Sequence, residues 1–133
     1  MVIKMYVYYN PNPRGRQRAG DCVIRAIAKA EGTDDWQGVY IALSLYGYKY
    51  GDLPNSNAVW DMYLRDNGYI RAACENNCPA GYTIADFARD HSHGTYILAT
   101  GTHAVCVKNG NIYDSWRSDD EPVLYYYARK GEI

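Results

Sequence analysis

Cys22, His103 and Asp114 are residue types that together can perform nucleophilic acyl chemistry, and they follow one another along the chain in that order. A thiol attacks a carbonyl as its thiolate, so it needs a base to take its proton and a third group to fix the base's tautomer. Cys22 lies in "AGDCVIRAIAKA", residues 19 to 30, where Val23, Ala26, Ile27 and Ala30 recur at three-and-four spacing. That spacing predicts a helix over 22–31 with one buried face, started by Gly20 and Asp21. A helix N-terminus carries unpaired N–H groups and about half a positive charge, and both favour thiolate over thiol.

The base and its partner are predicted on a hairpin. His103 opens a strand after the turn "TGT", and Asn109-Gly110 is the signal of a two-residue turn that leads back through Asp114. If those two residues form the turn, position 108 faces 111 and 105 faces 114, so His103 and Asp114 are a diagonal pair on one face. Their Cβ atoms would then be about 7–8 Å apart, within reach of an imidazole and a carboxylate. Trp116 shares that face by parity, while Ala104 and Cys106 point the other way, which makes Cys106 a small buried hydrophobe. An oxyanion also needs preorganised donors. Gln17, five residues before Cys22, is the candidate side-chain donor, with Asn12 or another loop amide as the alternative.

Several elements must position these groups. "KMYVYY" at 4–9 reads as a strand, and the Pro- and Gly-broken residues 10–20 as the loop that delivers the Cys22 helix. Thr33 can cap a second helix with Trp36, Val39, Tyr40 and Leu43 inward, fraying near Gly47 and Gly51. Asn55 or Ser56 caps a third, with Val59, Trp60, Tyr63 and Leu64 inward and Gly68 as its stop. Thr83 caps a short fourth that runs through Ile84 and Phe87 towards Asp90. Strands follow at 94–100, 103–107, 111–116 and 122–129. The expected architecture is α+β in a single domain over 1–133, with N-terminal helices, one bearing Cys22, packed on a small C-terminal antiparallel sheet.

Bulk properties narrow the function classes. The 133 residues suffice for one core, and a net charge of -1 argues against nucleic-acid binding as the main task. The N-terminus reads as too short and polar for a signal peptide, and no run has the ~18 apolar residues of a membrane span. The expectation is therefore a cytoplasmic protein without a membrane or nucleic-acid partner. Fifteen tyrosines against a single Phe imply rings half in the core with hydroxyls at the surface. Four cysteines, Cys22, Cys74, Cys78 and Cys106, are not read as a disulfide scaffold, and Cys74 and Cys78 are expected to be reduced loop cysteines.

Here the motifs carry a family likeness. A Gln, four residues and then a Cys opening a helix, with a later "GTHAV" strand and "YDSW" after a hairpin, resembles the order of papain-like cysteine peptidases. The same order occurs in the peptidase domain of bacteriocin-exporting transporters. The run "GDCVIRAIA … GTYIL … HAVCV … YDSW" is similar to small papain-like proteins of bacteriophages and bacteria, over residues 14 to 118 or so. The resemblance implies Cys22 as nucleophile, His103 as general base and acid, Asp114 as the orienting residue and Gln17 as oxyanion donor. It also implies that Trp116 shields the orienting hydrogen bond, that no cofactor is needed, and that the partner is a peptide or protein substrate, met in a host cytoplasm if the gene is a phage's. Against papain itself, the Gln-to-Cys spacing is one shorter and the orienting residue is Asp rather than Asn.

Two other readings compete. Cys74 and Cys78 with His91 and His93 supply two thiols and two imidazoles, types that zinc binds tetrahedrally, which would make a zinc-stabilised interaction domain. The plainer reading of the histidines is the polar end of the fourth helix, with His93 alternatively lining the active cleft. The other competitor is a catalytically silent papain-like binding module or a phage-encoded inhibitor of a host protein.

Overall fold

Asn109 and Gly110 have φ of 51° and 79°, the pair of positive values that a two-residue hairpin turn requires. The turn fixes the register Lys108↔Asn111, Val107↔Ile112 and Cys106↔Tyr113 between strands β4 (Ala104–Lys108) and β5 (Asn111–Asp114). This is the register predicted from the sequence.

In the computed structural model, which describes residues 5–74 and 81–131, that hairpin lies inside a six-stranded sheet. The remaining strands are β1 (Tyr6–Tyr8), β2 (Tyr69–Ala73), β3 (Thr95–Ala99) and β6 (Tyr125–Arg129), in the order β1-β5-β4-β3-β6-β2. The helices are α1 (Cys22–Glu31), α2 (Trp36–Tyr50), α3 (Asn57–Asp66) and α4 (Ile84–Asp90). The class is α+β as expected, but the sheet is mixed rather than antiparallel, because β1 pairs parallel with β5. β2 was not foreseen. "YIRAA" carries an arginine and two small residues and is mostly exposed on an outer edge, so the alternation that marks a strand is weak.

Alternation along the inner strands sorts their side chains onto two cores. Ile97, Ala99, Ala104, Cys106 and Tyr127 meet α1, α2 and α3 on one face. Leu98, Val105, Val107 and Ile112 meet Ile84 and Phe87 of α4 on the other. Cys106 is fully buried, as expected for a hydrophobe, and burial pushes its thiol up to about 12.

Helix ends follow local chemistry. Ser56 caps α3 by accepting from the Val59 N–H, and Thr83 with Asp86 forms a capping box on α4. The cap of α2 is Asp35, which accepts from the Gly38 N–H, rather than Thr33, whose hydroxyl instead accepts from the Asp35 N–H. Within α2, Val39 and Leu43 point inward as predicted, but Tyr40 is exposed.

The helix does not fray at Gly47. The Gly47 carbonyl accepts from Gly51 and Asp52, and a Cβ added at Gly47 would lie 2.5 Å from the Asp52 backbone oxygen. Gly47→Ala is expected to destabilise the protein by about 1–3 kcal/mol in urea unfolding, because backbone cannot yield as a side chain does. A loss below about 0.5 kcal/mol would show that the 52–56 loop moves freely.

The composition reading of half-buried tyrosines holds for some, such as Tyr9, Tyr46 and Tyr82, while Tyr63, Tyr69, Tyr96 and Tyr127 are buried and Tyr8, Tyr40, Tyr48 and Tyr50 exposed. Tyr63 and Tyr127 are 8% and 1% exposed, and their hydroxyls donate to Glu31 and Asp61. Tyr9, Tyr46 and Tyr82 donate likewise to Asp34, Asp66 and Asp90.

Candidate functional site

Cys22 is the first residue of α1, and its N-cap Asp21 makes no side-chain capping bond. The Asp21 carboxylate is engaged elsewhere: it accepts from the Arg25 guanidinium, from Trp36 Nε1 at 2.7 Å and from Asn12 Nδ2 at 3.4 Å. The first N–H groups of the helix are thus left without a side-chain acceptor, at its positive end.

The N-terminus of α1 overhangs the end of the sheet where β4 begins and β5 stops. Here His103 Nε2 lies 2.5 Å from Asp114 Oδ2, the diagonal partnership expected from the hairpin. The His103 side chain is 7% exposed and the Asp114 side chain 2%. With Nε2 committed to Asp114, Nδ1 is the ring nitrogen left for Cys22, and the hydrogen bond with His103 is the strongest influence that lowers the thiol.

Burial by itself raises the Cys22 pKa, but hydrogen bonding and charge from His103, the Ala104 backbone and the Arg25 charge outweigh it, and the thiol is held below its usual 9.0. Burial would likewise depress His103, yet hydrogen bonds to Asp114 and Cys22 carry it up to about 9 from 6.5. Asp114 is held below 3.8 in spite of burial by His103, Ser118 and the Ser115 N–H. All three shifts favour the charged forms, a thiolate beside an imidazolium beside a carboxylate. Because the folded His103 pKa is raised, its contribution to stability is complete below about pH 6.5 and is lost as pH rises through about 9.

Asp114 is saturated with donors. Arg25 Nη2 at 3.1 Å and the Ser115 N–H at 2.8 Å approach Oδ1, and the Ser118 hydroxyl at 2.5 Å joins His103 on Oδ2. Arg25 therefore bridges two carboxylates, Asp21 at the start of α1 and Asp114 at the end of β5. Sequence reasoning missed Arg25 and Ser118. The signal for Arg25 was the four-residue spacing from Asp21 within the run of apolar residues 23–28. For Ser118 no pattern existed, because it lies on an irregular turn.

Trp116 packs its ring against His103 with centroids 4.8 Å apart and stays 46% exposed, so one side of the imidazole is covered. Cys22, His103, Ala104, Gly101, Trp60 and Asn57 line a cavity of ≈ 240 Å³. Gln17 does not reach it: its amide donates to the Tyr8 hydroxyl at 3.5 Å on the exposed loop. Asn12 is tied to Asp21 and lines the neighbouring cavity, and the asparagines that line Cys22's cavity are Asn55 and Asn57. Trp60 Nε1 donates to Asn57 Oδ1 at 3.0 Å, which leaves the NH₂ of that amide as its remaining polar group.

His93 is exposed in the turn before β3 and does not line the Cys22 cavity. His91 stacks on Phe87 at 3.7 Å, with Nδ1 against the Phe87 carbonyl, as befits a helix end. Cys74 is disulfide-bonded, contrary to the expectation of a reduced thiol, and Cys78 lies outside the described residues. Among the described residues, no three His, Cys, Asp or Glu side chains converge as metal ligands, and no helix is long and apolar enough to cross a membrane. Compared with known proteins, the chain matches no family model, no curated protein and no solved structure.

Proposed function

We propose that this chain is a papain-like thiol hydrolase acting on amide bonds, with Cys22, His103 and Asp114 as its triad. The observation that carries the reading is His103 held between Asp114 and Cys22, with the thiol lowered and the imidazole raised. A nucleophile helix laid against the base-bearing strand supports the papain-like assignment within the α+β class.

The chemistry follows from the ion pair. Cys22 Sγ attacks the carbonyl carbon, and the oxyanion forms beside the free N–H groups that open α1. His103 gives its proton to the leaving nitrogen, the C–N bond breaks, and an amine departs while the acyl group remains as a thioester on Cys22. Water then attacks the thioester, His103 takes its proton, and the carboxylic acid leaves as the thiolate re-forms. Asp114 keeps Nε2 protonated throughout and stabilises the charged ring.

Cys22 alkylation by iodoacetamide as a function of pH, read by intact mass, tests the reading. Wild type should react with a midpoint below that of an ordinary thiol, with a second inflection near 9 as His103 loses its proton. His103→Ala should move the lower midpoint back to that of an ordinary thiol. Identical profiles for the two proteins would remove the hydrolase reading and leave a silent binding module in its place.

A further inference from the structure

Beside the Cys22 cavity, and sharing Gly20 and Asn55 with it, lies a larger one of ≈ 500 Å³. Its rim carries Arg14 and Arg16, and its wall is the stacked pair Trp36 and Tyr40, 5.3 Å apart at 24°. We propose that this cavity binds a carboxylate carried by the substrate, taken between the Arg14 and Arg16 guanidiniums; calling that ligand a substrate rests on the hydrolase reading of Cys22.

The backbone that carries the two arginines is held by a built turn, and their side chains are exposed at the cavity's rim. Asn12 Oδ1 accepts from the Arg14 N–H at 2.9 Å and from the Arg16 N–H at 3.4 Å, while its carbonyl accepts from Gly15 at 2.9 Å. Gly15 has φ +65°, the left-handed conformation that the turn requires. Asn10 closes it from the other side by donating to the Arg16 carbonyl at 3.2 Å. Asn12 is itself tied to Asp21, so the turn is anchored to the start of the nucleophile helix.

The charge is unspent. Among the described residues neither Arg14 nor Arg16 takes part in an ion pair. The one carboxylate in the cavity wall, Asp21, is buried and already paired with Arg25. A planar guanidinium matches a carboxylate in two hydrogen bonds, and two such forks at the rim of a cavity with an aromatic wall select a carboxylate with an apolar stem. The anion could be an acidic side chain or a C-terminal carboxylate, which share that chemistry.

Protection of Cys22 from iodoacetamide at pH 7 separates these sources. The probes are the tetrapeptide Gly-Gly-Glu-Gly blocked at both ends, its Gln counterpart, and the Gln peptide with a free C-terminal carboxylate. The Glu peptide, the free-acid peptide or both should protect at about 10-fold lower concentration than the blocked Gln peptide, and the better of the two names the source. In R14Q/R16Q that preference should vanish while the alkylation rate without peptide stays as in wild type. Equal protection by all three peptides, no protection by any, or a preference that survives R14Q/R16Q overturns the proposal. An ordinary-thiol pH profile together with Arg-dependent protection would leave the carboxylate pocket standing and dismiss the hydrolase reading instead.

Discussion

Replacing Arg25 by methionine should cost about 3–5 kcal/mol of stability, the largest loss expected from any single substitution in this chain. The side chain is 7% exposed and joins Asp21 and Asp114, each 2% exposed at its side chain, so its removal leaves two carboxylates crowded in a water-poor site. Methionine keeps much of the volume, so little of the loss would come from a cavity. Thermal unfolding should show a midpoint lower by roughly 10 °C or more. Arg25→Lys should restore only part, because a point charge cannot fork between two carboxylates as a planar guanidinium does. Adding Asp21→Asn to the methionine variant should recover some stability by removing one stranded charge. A loss under about 1 kcal/mol would mean that water reaches the cluster and that the bridge is not buried.

The second large effect concerns reactivity. Asp114→Asn should slow Cys22 alkylation at about pH 6.5 by about 10-fold, since the thiol then titrates closer to an ordinary cysteine at about 8.5. Every group that approaches Asp114 is a donor: Arg25 and the Ser115 N–H on one oxygen, His103 and Ser118 on the other. An asparagine must turn its NH₂ towards one of these pairs, opposing donor to donor, and in either orientation the charge that raises His103 is gone. The imidazole then sheds its proton at lower pH, and the thiolate loses its counter-ion. Ser118→Ala removes one donor but keeps the carboxylate, and should leave most of the reactivity. If Asp114→Asn alkylates within about twofold of wild type at that pH, the aspartate does not support the ion pair and the N-terminus of α1 alone governs Cys22.

What could be read from the chain depended on how local its cause was. The His103–Asp114 pairing was legible because Asn109-Gly110 dictates a two-residue turn, and the turn dictates the register. Helix α1 was legible to the residue because its apolar spacing starts where Gly20 and Asp21 interrupt it. The parallel pairing of β1 with β5 joins residues over a hundred positions apart and leaves no local trace. Gln17 failed for the same reason. Its distance from Cys22 in sequence says nothing about which way an exposed loop turns, and that was decided by Asn12 reaching Asp21 and by Tyr8 receiving the amide. Arg25 was visible as a residue but not as a bridge, since its second partner lies on a strand from the other end of the chain.

The distance between Cys22 and His103 also has a consequence for the newly made chain. The cysteine leaves the ribosome about eighty residues ahead of the imidazole. At 5–20 residues per second that interval lasts about 4 to 16 s. Asp114 arrives later still, and its carbonyl must receive the Tyr9 N–H and the Tyr6 hydroxyl from the first strand before β5 is fixed. Throughout synthesis Cys22 is therefore an ordinary, mostly protonated thiol. The lowering of its thiol begins only when β1 and the β4–β5 hairpin meet, so a chain cut short before Asp114 carries a blunt cysteine.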